Sequence, residues 1–104
     1  MEQFTLIIRF ETEEKNKDRF LQELINLFHQ LHKNEENFVK ASIHQNEHNK
    51  NEILVYEVWK NISFEDFITI QLKKQYALEW EKLLVEMDIK REPKVYSTLA
   101  NFNS

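Results

Sequence analysis

Hydrophobic and polar positions alternate with a period of two from Phe4 to Phe10. Phe4, Leu6, Ile8 and Phe10 take one side, and Thr5, Ile7 and Arg9 take the other. That period is a strand. Ile7 makes the second side partly apolar, which predicts cover on both faces of the sheet. The charged run 11–18 opens a helix, in which Phe20, Leu24, Leu27, Phe28 and Leu31 recur at helical spacing and Leu21 and Ile25 widen the stripe. Acids near its start, and Lys33 with His29 and His32 near its end, suit the helix dipole. Asn34 supplies a stop. The period of two returns over 37–45, with Val39, Ala41 and Ile43 on one face and Phe38, Lys40, Ser42 and His44 on the other. A polar turn, 46–51, leads into a third strand, 51–60. It sets Ile53, Val55, Glu57 and Trp59 against Leu54, Tyr56, Val58 and Lys60. Two strands joined by a short polar loop predict an antiparallel hairpin.

Ser63 with Asp66 three residues on has the pattern of a capping box. A helix over 71–87 follows, carrying Leu72, Tyr76, Trp80, Leu83, Leu84 and Met87 on its apolar face. Pro93 separates this helix from a last strand, 94–102, in which Tyr96, Thr98, Ala100 and Phe102 alternate with Val95, Ser97, Leu99 and Asn101. The order β-α-β-β-α-β is that of an α+β, ferredoxin-like fold: an antiparallel four-stranded sheet with its helices on one side. The other side keeps Ile7, Leu54, Tyr56 and Val58. An apolar face of that size marks a partner surface. It predicts a homodimer with two sheets packed face to face, twofold symmetry being the commonest arrangement.

The composition narrows the chemistry. The 104 residues (1–104) make one domain. A net charge of −4 argues against nucleic acid as a partner, since phosphate binding needs a basic surface. No apolar run is long enough to cross a membrane. The first residues, 1–6, are acidic and strand-like, unlike a signal peptide. A cytoplasmic protein is the expectation. The chain has no cysteine, so disulfides, thiolate metal sites and a cysteine nucleophile are excluded. It has no glycine either, which disfavours phosphate loops built on glycine backbone. Turns with positive φ then fall to Asn.

The strand 6–10, the hairpin and the segment 57–61 together resemble the antibiotic biosynthesis monooxygenase family, the dimeric α+β barrel group. Phe64, Phe67, Gln71, Leu72, Tyr76, Trp80 and the stretch 95–102 continue the likeness, which spans about 3–102. The resemblance implies a dimeric α+β barrel and a substrate held between sheet and helices. Members include oxygenases of phenolic polyketides and quinols, in which oxygen attacks an electron-rich aromatic anion. The expected cofactor is therefore none, whether metal or flavin. Other members degrade haem or isomerise small signalling molecules. Trp59 matches the tryptophan that ends the third strand in many members. Gln71 stands where many carry a histidine, and an amide cannot serve as a proton-transfer base. Ile8 takes the place of an asparagine used by haem-degrading members, and no histidine follows His48, which argues against haem degradation.

Candidate site residues follow from pattern and resemblance together. Glu57 shares a strand face with Val55 and Trp59, and a carboxylate held among apolar groups has a raised pKa and can act as a base. The competing explanation is an ion pair with Arg9 or a lysine. Gln71 is the second catalytic candidate, as a hydrogen-bond donor to a developing oxyanion, or else a solvent-facing glutamine. Trp59, Phe67, Tyr76 and Trp80 would hold an aromatic ring, although aromatic stripes also fill cores. His44, on a strand, completes the substrate-binding set. His29 and His32 are too few for a metal site, so no metal is expected. These readings converge on a cofactor-independent monooxygenase of a quinol or phenol. The alternative is a non-catalytic ligand-binding or interaction module on the same dimeric fold.

Overall fold

The computed structural model describes residues 3–103; Met1, Glu2 and Ser104, the first two part of the acidic start, lie outside the described residues. Its elements are β1 (Gln3–Glu11), a 3-10 turn (Glu14–Asn16), α1 (Lys17–Asn34), β2 (Phe38–Asn46), β3 (Asn49–Lys60), α2 (Phe64–Thr69), a second 3-10 turn (Gln71–Lys73), α3 (Gln75–Glu86) and β4 (Lys90–Ser97). The strands form one antiparallel sheet in the order β2-β3-β1-β4. This is the α+β ferredoxin-like arrangement that the sequence pattern predicts.

Register decides what faces the helices. In the β1–β3 pairing Phe4 lies across from Trp59, Leu6 from Glu57, Ile8 from Val55 and Phe10 from Ile53. These eight residues share the side that the helices cover. Phe10, Ile53 and Val55 pack with Phe20 and Leu24 of α1, and with Leu84 and Met87 at the end of α3. A second cluster joins Phe4, Leu6 and Trp59 to Leu31 of α1 and Phe67 of α2. Burying each of these large side chains contributes roughly 2–3 kcal/mol. Leu27 and Phe28 touch both clusters. Glu57 therefore stands on β3 between Val55 of one cluster and Trp59 of the other.

Three expectations change. First, β2 slips its register at Val39: Phe38 pairs with Trp59 and Lys40 with Val58, leaving Val39 without a partner. The extra residue behaves as a β-bulge. It turns Phe38 to the helix side with Ala41 and Ile43, where its ring meets Trp59 at 5.5 Å. Val39 is exposed. Second, there is no continuous helix over 71–87. Lys74 is extended (ψ 156°), so the 3-10 turn and α3 are separate pieces. The break puts Gln71 inside and leaves Leu72 exposed. Third, the last strand starts at Lys90, includes Pro93, and ends at Ser97. β4 is a sheet edge, where charge and proline are at home; the sequence pattern leaves the residues up to Pro93 in a connection and carries the strand on to 102, past its observed end.

Caps and turns follow local chemistry. Ser63 Oγ accepts the Asp66 amide at 3.0 Å, as the capping pattern requires. Positive φ occurs at Asn61 (56°) and also at Asp88 (53°), so an aspartate shares the role expected of asparagine. Asn37 Nδ2 donates to the Lys60 carbonyl at 3.1 Å, tying the end of β3 to the start of β2.

The face away from the helices carries Ile7, Leu54, Tyr56 and Tyr96, with Val58 buried among its neighbours. Beside them Arg9 donates to Glu11 (2.7 Å), Glu92 (3.2 Å) and Glu52 (3.5 Å). Beyond β4, Leu99 and Phe102 are 97% and 94% exposed, outside regular structure. Among the described residues no helix is long and apolar enough to cross a membrane.

Candidate functional site

A cavity of about 280 Å³ lies between the sheet and the helices, at the seam of the two clusters. Leu6 and Ile8 of β1 and Glu57 and Trp59 of β3 form its floor. Leu27, Phe28 and Leu31 of α1 close one side, and Phe64, Phe67, Tyr76, Ala77 and Trp80 close the other. Its size is at the small end of ligand cavities, and a mostly apolar wall with a few polar groups is their usual make-up.

Glu57 is the buried acid of this cavity. It is 6% exposed, and the Trp59 indole Nε1–H donates to its Oε1 at 2.8 Å. The two side chains meet because residues two apart on a strand project from the same face. Burial raises the Glu57 carboxyl and the indole hydrogen bond lowers it; burial prevails, and the group is pushed up to about 7. Arg9 is not its partner: Arg9 sits on the opposite face of the sheet, among Glu11, Glu52 and Glu92. Among the described residues neither Arg9 nor a lysine pairs with Glu57, and alternation along β1 and β3 separates it from Arg9.

Gln71 is buried at 2% exposure, not solvent-facing. Its Nε2 donates to the Tyr76 hydroxyl oxygen at 2.8 Å. With that oxygen accepting from Gln71, the phenol proton is left to donate elsewhere. Burial pushes the Tyr76 phenol up to about 12; the Gln71 hydrogen bond lowers it, and the charges of Glu35 and Glu57 raise it. Tyr76 is thus a neutral donor near pH 7 on the wall that faces Glu57. Gln71 acts behind Tyr76 and does not line the cavity itself.

Of the aromatic candidates, Trp59, Phe67, Tyr76 and Trp80 all line the cavity. Each is also a packing residue. Trp59 and Phe67 meet edge to face at 5.0 Å, and Trp80 contacts Phe20 at 6.0 Å and Phe10 at 6.4 Å. His44 is elsewhere. It pairs with Leu54 across β2–β3, which puts it on the face away from the helices, exposed, with its Nε2 2.8 Å from Ser42 Oγ. Among the described residues no group of three or more His, Cys, Asp or Glu gathers as a metal-binding set.

The sequence reading missed Arg91 and Glu81, which also line the cavity. Arg91 was hidden by the misplaced start of β4. Glu81 sits one residue after Trp80, and that offset was the available signal.

A family model described as antibiotic biosynthesis monooxygenase matches residues 3–66. No curated protein matches the sequence. Several solved structures are similar. A variant of SnoaB, a cofactor-independent oxygenase from Streptomyces nogalater, is 13% identical over 100% of both chains, with a TM-score of 0.81. Rv0793 from Mycobacterium tuberculosis is 11% identical over 98% of this chain and 100% of its own, with a TM-score of 0.79. A conserved protein from Methanosarcina mazei Go1 is 18% identical over 93% of each chain, with a TM-score of 0.76. At these identities the likeness is one of fold.

Proposed function

Because the chain belongs to the antibiotic biosynthesis monooxygenase family, we propose that it is a cofactor-independent monooxygenase of a quinol or phenolic small molecule. The observation that carries this reading is Glu57: a buried carboxyl with its pKa near neutrality, on the floor of an aromatic cavity. As a carboxylate it takes the proton of a bound hydroxyl, leaving an electron-rich aromatic anion. Tyr76 donates to an oxygen of that anion, and Gln71 holds Tyr76 in the donating orientation. Trp59, Phe67 and Trp80 position the ring. With a simple hydroquinone, one atom of dioxygen enters the ring and the other leaves as water. The ring supplies the electrons and ends as a hydroxyquinone, so the balance closes.

Oxygen uptake with a panel of hydroquinones and anthrone-like phenols tests the reading. Uptake above background that Glu57→Gln loses is the expected result. Background rates across the whole panel would favour a second reading, a non-catalytic ligand-binding module. What supports that rival is Gln71: the position of the family's histidine holds a non-ionisable amide already engaged with Tyr76.

The same proposal includes a homodimer. Its support is the sheet face carrying Ile7, Leu54, Tyr56 and Tyr96, together with exposed Leu99 and Phe102. Light scattering at micromolar concentration is expected to give twice the chain mass; a monomer there would remove the dimer from the reading.

A further inference from the structure

Among the described residues, Arg91 is the only cation that lines the cavity. It lies on β4, the edge strand, and reaches across to α3, where its Nη1 donates to Glu81 Oε1 at 2.5 Å and its Nη2 to Oε2 at 2.8 Å. The pair is half open to solvent, with side-chain exposures of 37% and 49%. The cavity's other exposed lining residues, Ile68, Leu72 and Pro93, share its outer rim. The cavity therefore has two polar ends. Glu57 is the inner, dry one, and the Arg91–Glu81 fork is the outer one.

Resting on the monooxygenase reading above, we propose that Arg91 is a specificity-determining residue, and that the substrate class is a hydroxylated aromatic carboxylate. The guanidinium fork matches a carboxylate with two parallel N–H···O bonds, a fit that it already makes with Glu81. An exposed pair is worth little, so a ligand carboxylate can take Glu81's place on Arg91 at small cost. The ligand's ring then lies along the apolar walls and its hydroxyl reaches Glu57. The register sets its length. Arg91 is level with Phe10 and Glu57 with Leu6. That is four positions along the sheet and two strands across, roughly 16 Å between backbones before the side chains extend inward. Two fused rings with hydroxyl and carboxylate at opposite ends span the gap that remains.

The test is titration calorimetry with 6-hydroxy-2-naphthoate and its neutral isostere, 6-hydroxy-2-naphthamide. The wild-type protein should bind the carboxylate at least about tenfold more tightly than the amide, the margin of a hydrogen bond to a charged group. Arg91→Met should erase that ratio, with the loss falling on the carboxylate far more than on the amide. Glu81→Gln should widen it, because the competing carboxylate is gone. Both side chains are exposed, and unchanged melting curves would show that the variants fold. Amide binding with no carboxylate preference, or a preference that survives Arg91→Met, overturns the anion selection and leaves the oxygenase reading untouched. Failure of the wild-type protein to bind either probe overturns the proposal, while oxygen uptake judges the oxygenase reading on its own.

Discussion

Replacing Glu57 with Gln is expected to lower kcat/KM by about 10²- to 10⁴-fold, the usual contribution of a positioned base. In the wild-type protein, activity should rise with pH through about 7, as the buried carboxyl loses its proton. The Gln variant should lose that limb and not merely scale it down, because the amide does not titrate. A limb near 7 that persists in Glu57→Gln would assign the base elsewhere. The same carboxyl makes stability depend on pH. Its folded pKa lies above the ordinary 4.5, so the fold prefers the protonated form. The stabilising contribution is fully present below about 4.5 and is lost as pH rises through about 7, for a total of about 3 kcal/mol. Urea midpoints at pH 5 and pH 8 should therefore differ more in the wild-type protein than in the Gln variant. Glu11 and Glu92, held below the usual carboxylate range by Arg9, act in the opposite sense and at lower pH. They are common to both proteins and cancel in the comparison. Equal pH dependence in the two would show that Glu57 is not desolvated.

Trp59→Ala should cost about 3–5 kcal/mol of stability, the range for removing a large aromatic from a core. Trp59 is 1% exposed and holds Phe38 at 5.5 Å and Phe67 at 5.0 Å. Its loss would empty one end of the cavity and leave Glu57 buried without its donor. A lost activity in that variant would mix unfolding with chemistry. Trp59→Phe separates them by keeping a ring while deleting the indole N–H. The hydrogen bond lowers the Glu57 pKa, so its loss should move the rising limb of activity to higher pH, with a smaller drop in melting temperature than the Ala variant shows. An unmoved limb in Trp59→Phe would mean that the 2.8 Å contact does not tune the acid.

What could be read from the sequence was what depends on local periodicity. The period of two in β1 and β3 put Glu57 and Trp59 on one face with Val55, yet the sequence reading still allowed Glu57 an ion pair with Arg9, which the strand pairing sets on the opposite face. The cap at Ser63 was legible because it needs only two residues three apart. What was not legible depends on partners distant in sequence. Val39 has the makings of a core residue in a regular strand, and only the pairing of β2 with β3 shows that the chain slips there. Lys74 interrupts the helix without glycine or proline. The burial of Gln71 depends on Tyr76, which lies beyond that interruption. His44 was chosen because it lies on a strand, but the same alternation sends it away from the cavity. Arg91 lay in a stretch whose charge and proline look like a loop, and only its place at the sheet edge makes that composition fit a strand.

The two outermost strands share a property with a consequence for the protein in a crowded solution. β4 presents charge at Lys90, Arg91, Glu92 and Lys94, and at Pro93 a residue with no N–H to offer. β2, at the far side, is kinked where Val39 has no partner. A foreign strand arriving at either margin would find its ladder interrupted after a few residues. Runaway stacking into fibres, the hazard of any open sheet, is obstructed at both ends. In the dimer proposed above, the broad face is taken by a second copy of the chain, and a face so covered leaves no room for a third.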